Sequence, residues 1–135
     1  MNIYIDTASP EQIRAADRRC GLDGVTTNPS IVAETDRPYR DVVETAAEIT
    51  DGPVFVQVLA EDADGMVREA RGYQDWADHV VAKISATRPG FEALGRLRDD
   101  GVPAGTTVVF TVEQAVLAAK NDATFVAPYV GRIDD

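Results

Sequence analysis

His79-Val80-Val81-Ala82-Lys83-Ile84-Ser85 is a run of strand-forming residues, and Thr87 with Pro89 two positions later opens a helix that Gly101 closes. Thr106–Phe110 then begins a second strand-like run. A strand, a helix and a further strand in about 30 residues make one βαβ unit, in which the two strands run parallel. Working outward, the same alternation extends over the chain. Further strand-like runs are Asn2–Asp6, Gly24–Asn28, Val54–Ala60 and Thr124–Tyr129. Several are almost continuously apolar, as strands covered on both faces must be.

The stretches between them carry helix signals. Ser9-Pro10-Glu11-Gln12 reads as an N-cap, a proline at the first helical position and a capping-box partner. Thr111-Val112-Glu113-Gln114 is a second capping box leading into Ala115–Lys120. Tyr39–Thr50 and Asp62–Ala77 supply two more helices, the latter with Met66, Ala70, Tyr73 and Ala77 at helical spacing. Glu34–Asp41 reads as a solvated loop and helix start. With no linker and no low-complexity segment, residues 1–135 are expected to form one α/β domain.

Composition excludes several functions. Thirteen basic residues against 23 acidic ones give a net charge of −10. The acids are spread along the chain, and no Lys/Arg cluster is available to neutralise a phosphate backbone, so nucleic acid is not an expected partner. The longest uncharged apolar run, near Val54–Ala60, is far short of the ~20 residues of a membrane helix. Asp6 and Glu11 interrupt any secretion signal at the N-terminus, and a cytoplasmic protein is expected. Cys20 is the single cysteine and His79 the single histidine, which leaves no zinc cluster and no cofactor motif to build on. Glycine-rich nucleotide loops are absent too. His79, flanked by Asp75 and Asp78, reads as a surface residue.

One polar residue stands at or near the C-terminal end of each apolar run: Asp6, Asn28, Gln57, Lys83, Thr107 and Tyr129. They recur every 22 to 29 residues, the length of one strand–helix repeat. In a parallel (β/α) barrel all strand C-termini open on one mouth, where active sites are built. In an open doubly wound sheet only two or three of the six would meet at a switch point.

Lys83 is one of only two lysines. By strand alternation it shares a face with Val81 and Ser85, opposite Val80, Ala82 and Ile84. Covered on both faces, its ammonium would lose water and become a nucleophilic amine, able to condense with a ketone as a Schiff base. On an edge strand it would instead keep its head in water. Lys120 ends a helix, where a cation complements the dipole. Gln57 belongs either to a polar pocket or to a satisfied core network. Thr107 is also a good strand former, and Tyr129 is either a core aromatic or a proton donor. Asn28, before Pro29, suits a turn; Asp6 suits a turn or a pocket carboxylate; Arg132 suits the surface or an anion clamp.

Five collinear stretches resemble the transaldolase family, and within it the small fructose-6-phosphate aldolase-like members. They are Ile5-Asp6-Thr7-Ala8, Gly24-Val25-Thr26-Thr27-Asn28-Pro29-Ser30-Ile31, Gln57-Val58-Leu59-Ala60 with Asp64-Gly65-Met66, Val80-Val81-Ala82-Lys83-Ile84, and Ala127-Pro128-Tyr129-Val130-Gly131-Arg132-Ile133-Asp134-Asp135. The resemblance implies a TIM-type (β/α)8 barrel, no metal or cofactor, and a Schiff-base aldol reaction on a sugar phosphate. It places Lys83 as the Schiff-base lysine and Asp6 and Asn28 on substrate hydroxyls. Gln57, Thr107 and Tyr129 match the group that holds a water and moves the proton, and Arg132 matches the phosphate arginine. Gln57 and Tyr129, where transaldolases typically carry Glu and Phe, lean toward the aldolase subgroup; Gly131–Asp135 is closer to transaldolase wording. Ser85 departs from the proline usual two residues after the lysine. Family members are often homo-oligomers and run past 200 residues, so this chain is expected to supply only about six βα units, an incomplete barrel. A transaldolase of the pentose phosphate pathway and a catalytically silent partial barrel are the alternative readings.

Overall fold

The computed structural model describes residues 1–130. Strands β1 (Tyr4–Asp6), β2 (Gly24–Thr26), β3 (Val54–Gln57), β4 (Val80–Ser85), β5 (Ala104–Val109) and β6 (Val126–Pro128) form one sheet in the order β1-β2-β3-β4-β5-β6. Between them come helices α1 (Pro10–Cys20), α2 (Pro29–Ala33), α3 (Tyr39–Ile49), α4 (Ala63–Tyr73), α5 (Arg88–Asp99) and α6 (Val112–Lys120). Sequential neighbours in a parallel sheet, each joined by a helix, are the repeat of the (β/α) barrel class, and about six such units are present. The described residues group into two compact units, one of Met1–Gln57 with Tyr73–Val81 and the other of Val58–Gly72 with residues 82–130.

In the first unit β1, β2 and β3 pair in parallel, Asp6 lying opposite Thr26 and Thr26 opposite Phe55. Ser9 caps α1 through its side chain, and Pro10 fills the first helical position without wasting a donor. The capping box expected there does not close. The Ser9 amide instead donates to Thr7 Oγ1 at 3.1 Å, while the Gln12 side chain is taken by the Thr7 hydroxyl. Helix α2 is an element beyond those the sequence pattern predicts: Asn28 caps it and Pro29 starts it, although it is only five residues long. Helix α3 buries Val42, Val43 and Ala46 on one stripe.

In the second unit β4, from Ala82 onward, pairs in parallel with β5 and β5 with β6, Lys83 lying opposite Gly105 and Ser85 opposite Thr107. Thr87 caps α5, whose Ala93, Leu94 and Leu97 are buried; full burial of each leucine contributes ~1.5–3 kcal/mol. Gly101, at φ +72°, then takes the left-handed turn that follows this helix. The capping box of α6 closes as expected, Thr111 and Gln114 satisfying each other's backbone donors.

Two elements are shorter than their sequence suggests. β3 stops at Gln57, and beyond Val58 the amides turn to a side chain: Leu59 and Ala60 both donate to the Glu69 carboxylate, at 2.6 and 3.3 Å. Leu59 is consequently 59% exposed and does not share a covered face with Phe55. Helix α4 stops at Tyr73, four residues before Ala77, in a tighter turn where the Trp76 amide donates to the Tyr73 carbonyl at 3.0 Å. β5 carries a bulge between Thr106 and Val109, and Val108 takes φ +58°, a strained conformation for a β-branched residue.

Candidate active site

In the first unit, three of the expected residues lie at strand ends. Asp6 closes β1 and accepts a hydrogen bond from Thr26 Oγ1 at 2.7 Å, a partner set by the register of β1 on β2. Asn28, two residues beyond β2, spends its Oδ1 on the α2 cap, where the Ile31 amide donates at 3.0 Å. Its side-chain N–H groups have no protein acceptor among the described residues. Gln57 closes β3, half-buried, with no protein partner for its side-chain amide among the described residues.

The backbone of Gln57 is held instead. Its N–H donates to the Tyr39 hydroxyl at 3.0 Å, and its carbonyl accepts from the Tyr73 hydroxyl at 3.4 Å. Nothing local in the sequence marks the hydroxyl of either tyrosine or of Thr26 as part of a site, because each acts through a partner 16 to 20 residues away. Burial holds the Tyr39 hydroxyl above its ordinary value of 10.0, more than its hydrogen bonds with Thr27 and the Gln57 amide pull it down. The folded state therefore keeps that proton more tightly than the unfolded chain does. This stabilising contribution is complete below about pH 10 and is lost as pH rises through the raised value. Tyr39→Phe should flatten the alkaline limb of stability against pH, measured as urea midpoints from about pH 9 upward.

His79, read from its neighbours as a surface residue, is half-buried with a buried Nε2 that has no partner among the described residues. The chain turns it inward at the entry to β4, where its carbonyl accepts the Val54 amide at 3.1 Å.

The second unit carries Lys83, Thr107 and Tyr129. Along β4, Val80, Ala82 and Ile84 are 0% exposed, while Val81 is 7% and Lys83 8% exposed on the other face. Lys83 thus sits on the less tightly covered face of a strand whose two faces are both shielded, and its carbonyl accepts the Val58 amide at 3.1 Å. The edge-strand alternative, with the head in water, does not hold. Thr107 is buried, lies across from Ser85, and accepts the Ala86 amide on its carbonyl at 3.0 Å. Its strand neighbour Thr106 is fully buried with an unpartnered hydroxyl among the described residues.

Tyr129 follows β6, pinned by its amide to the Val109 carbonyl at 3.0 Å. Its ring meets Phe110 edge-on, centroids 5.5 Å apart, and both line a cavity of about 240 Å³ whose walls are mostly apolar, with Val109, Val112 and Val126 among them. Phe110 is a further site neighbour that the sequence marked only as the end of a strand. Arg132 lies outside the described residues. Among those residues no group of three or more His, Cys, Asp or Glu could hold a metal ion, and no helix is long and apolar enough to cross a membrane.

A family model described as transaldolase/fructose-6-phosphate aldolase matches residues 3–135. The chain belongs to that family. Relatives of this aldolase family include a probable transaldolase of Aquifex aeolicus, 44% identical over all 135 residues, and one of Coprothermobacter proteolyticus, 45% identical over the same length. A probable transaldolase 2 of Listeria monocytogenes is 42% identical, again over the whole chain. In each case the match covers 62% of the relative, so the chain spans under two thirds of the length of these relatives.

Proposed function

We propose that the chain carries the nucleophile of a class I aldol reaction on a sugar phosphate. The observation that carries this reading is the burial of Lys83 on β4, a strand covered on both faces, since desolvation favours the neutral, nucleophilic form of an amine. Lys83 Nζ adds to the carbonyl carbon of a ketose such as fructose 6-phosphate, and the carbinolamine loses water to give an iminium. A base takes the proton from the hydroxyl two carbons from the iminium carbon. The bond joining that hydroxyl-bearing carbon to the carbon next to the iminium then breaks, an aldehyde departs, and the bond's electron pair stays behind to form an enamine. Protonation of the enamine and hydrolysis release dihydroxyacetone and the free lysine.

The family resemblance supplies the remaining roles. Tyr129 moves the proton through a water held by Gln57 and Thr107, Asp6 and Asn28 bind substrate hydroxyls, and Arg132 binds the phosphate. Tyr129, with its backbone pinned and its ring against Phe110, is well suited to hold a proton at one point. A cytoplasmic homo-oligomer completes the reading; exposed Val112, Val116 and Leu117 on α6 support self-association.

Gln57 and Tyr129 favour cleavage over transfer. The name probable transaldolase carried by the relatives favours the second reading, in which the enamine attacks another aldose phosphate. Both share the first covalent step, so the test begins there. The chain is incubated with dihydroxyacetone or fructose 6-phosphate, reduced with borohydride, and weighed intact. A stable adduct mapped to Lys83 is expected; a folded chain that forms none is a silent partial barrel. Release of free dihydroxyacetone from fructose 6-phosphate marks an aldolase, whereas turnover only with an added aldose phosphate marks a transaldolase.

A further inference from the structure

We propose that Tyr39 and Tyr73, braced on Trp76, are positioning residues that clamp the peptide groups of Gln57 and so aim its side chain. The consequence for the reaction rests on the role proposed for Gln57 above; the clamp itself does not. Pairing of β2 with β3 ends at Thr26 opposite Phe55, and Thr27 N–H still reaches the Phe55 carbonyl at 3.0 Å. Two residues beyond Phe55 the pairing with β2 offers Gln57 nothing, and tyrosine hydroxyls from the start of α3 and the end of α4 take both of its backbone groups.

Proton accounting gives this arrangement a direction. Thr27 Oγ1 donates its hydrogen to the Phe55 carbonyl at 2.8 Å. The 3.0 Å contact between Thr27 Oγ1 and the Tyr39 hydroxyl must then be donated by Tyr39. That leaves a Tyr39 lone pair for the Gln57 N–H, so the bonds run from Gln57 to Tyr39 to Thr27 to Phe55 and back into β3. A neutral Tyr39 is required, which agrees with the burial that raises its pKa and disfavours ionisation. Trp76 packs against both rings, at 6.0 Å and 61° from Tyr39 and 4.5 Å and 46° from Tyr73. With both peptide groups held, the one unconstrained part of Gln57 is the amide that would meet a water or substrate. A side chain serving chemistry needs its geometry fixed to about half an ångström.

The test compares wild type, Tyr39→Phe, Tyr73→Phe, Gln57→Ala and the Tyr39→Phe/Gln57→Ala double variant of the full chain. Amide hydrogen exchange by NMR reads the clamp without any catalysis. Tyr39→Phe should speed exchange at the Gln57 amide at least ~10-fold and leave Val54, whose amide bonds His79, unchanged. Unchanged protection at Gln57 would overturn the clamp. Deuterium uptake by dihydroxyacetone in heavy water reads the reaction. Tyr39→Phe should slow it about 10-fold without changing the dihydroxyacetone concentration that half-saturates borohydride trapping, and Tyr73→Phe should act in the same direction. The double variant should be no slower than Gln57→Ala, whereas fully multiplicative losses would show that Tyr39 acts elsewhere. Normal uptake by Gln57→Ala, or none by wild type, would remove the role proposed for Gln57 and leave the clamp to be decided by the amide exchange.

Discussion

Lys83→Met is expected to reduce ketone trapping to background while leaving the fold intact. Methionine reproduces the length and flexibility of the lysine stem but supplies no nitrogen to attack a carbonyl. The position is buried on β4 between Val81 and Ser85, so an apolar side chain of similar volume suits it. Removing a buried polar amine also removes its desolvation cost, and the unfolding free energy should fall by no more than ~1 kcal/mol or should rise. Intact mass after borohydride reduction and urea unfolding are the two measurements. Lys120, exposed in the last turn of α6, is the internal control, since Lys120→Met should trap as wild type does. An adduct retained in Lys83→Met and lost in Lys120→Met would move the chemistry off β4 altogether.

The sequence made the periodic part of this fold legible because each βα repeat announces itself locally. Thr87 and Thr111 open their helices in short-range sequence patterns, and both accept the backbone bond those patterns require. Boundaries set by partners distant in sequence were not legible. The run Val54–Ala60 looks like one strand until Glu69 draws the amides of Leu59 and Ala60 away from the ladder. Gln12 sits where a capping box needs it, yet the Thr7 hydroxyl competes successfully for its side chain. Helix α2 was missed because Asn28-Pro29 reads equally well as a turn, and five residues give no periodicity to detect.

The candidate site divides in the same way. Strand-end polar residues could be found by their spacing, since the period of the fold is also the period of the site. Residues that hold them in place have no such period. Thr26 matters through the register of β1 on β2, and Tyr39 through a hydroxyl that reaches from α3 to the end of β3. Tyr73 was visible only as one apolar position on a helix, although its hydroxyl rather than its ring meets Gln57.

Gly90→Ala should be the most damaging single-methyl change in the second unit. Gly90 lies in the first turn of α5, directly over the end of β4, and a Cβ there would stand 2.0 Å from the Ser85 carbonyl oxygen and 3.2 Å from Ile84 Cγ2. The obstacle at 2.0 Å is backbone, so no side-chain rotation relieves it. Either the helix start must lift away from the strand or the strand end must give. Lifting the helix breaks the Thr87 cap, in which Gly90 N–H donates to Thr87 Oγ1 at 3.2 Å, and loosens the buried Ala93 and Leu94 behind it. A loss of about 2–4 kcal/mol in unfolding free energy is expected, the sum of an overpacked contact and a damaged cap. Gly72→Ala provides the contrast. It lies in helix α4 with nothing within 4 Å of its would-be Cβ, so alanine should gain ~0.5–1 kcal/mol from helix propensity alone. Urea midpoints that move in opposite directions would establish that the close approach of α5 to the end of β4 is required by the fold. The strand that ends at Ser85 also carries Lys83 two residues earlier, so borohydride trapping should fall in Gly90→Ala and stay unchanged in Gly72→Ala. Equal stability of the two variants would mean that α5 does not rest on β4 at Gly90.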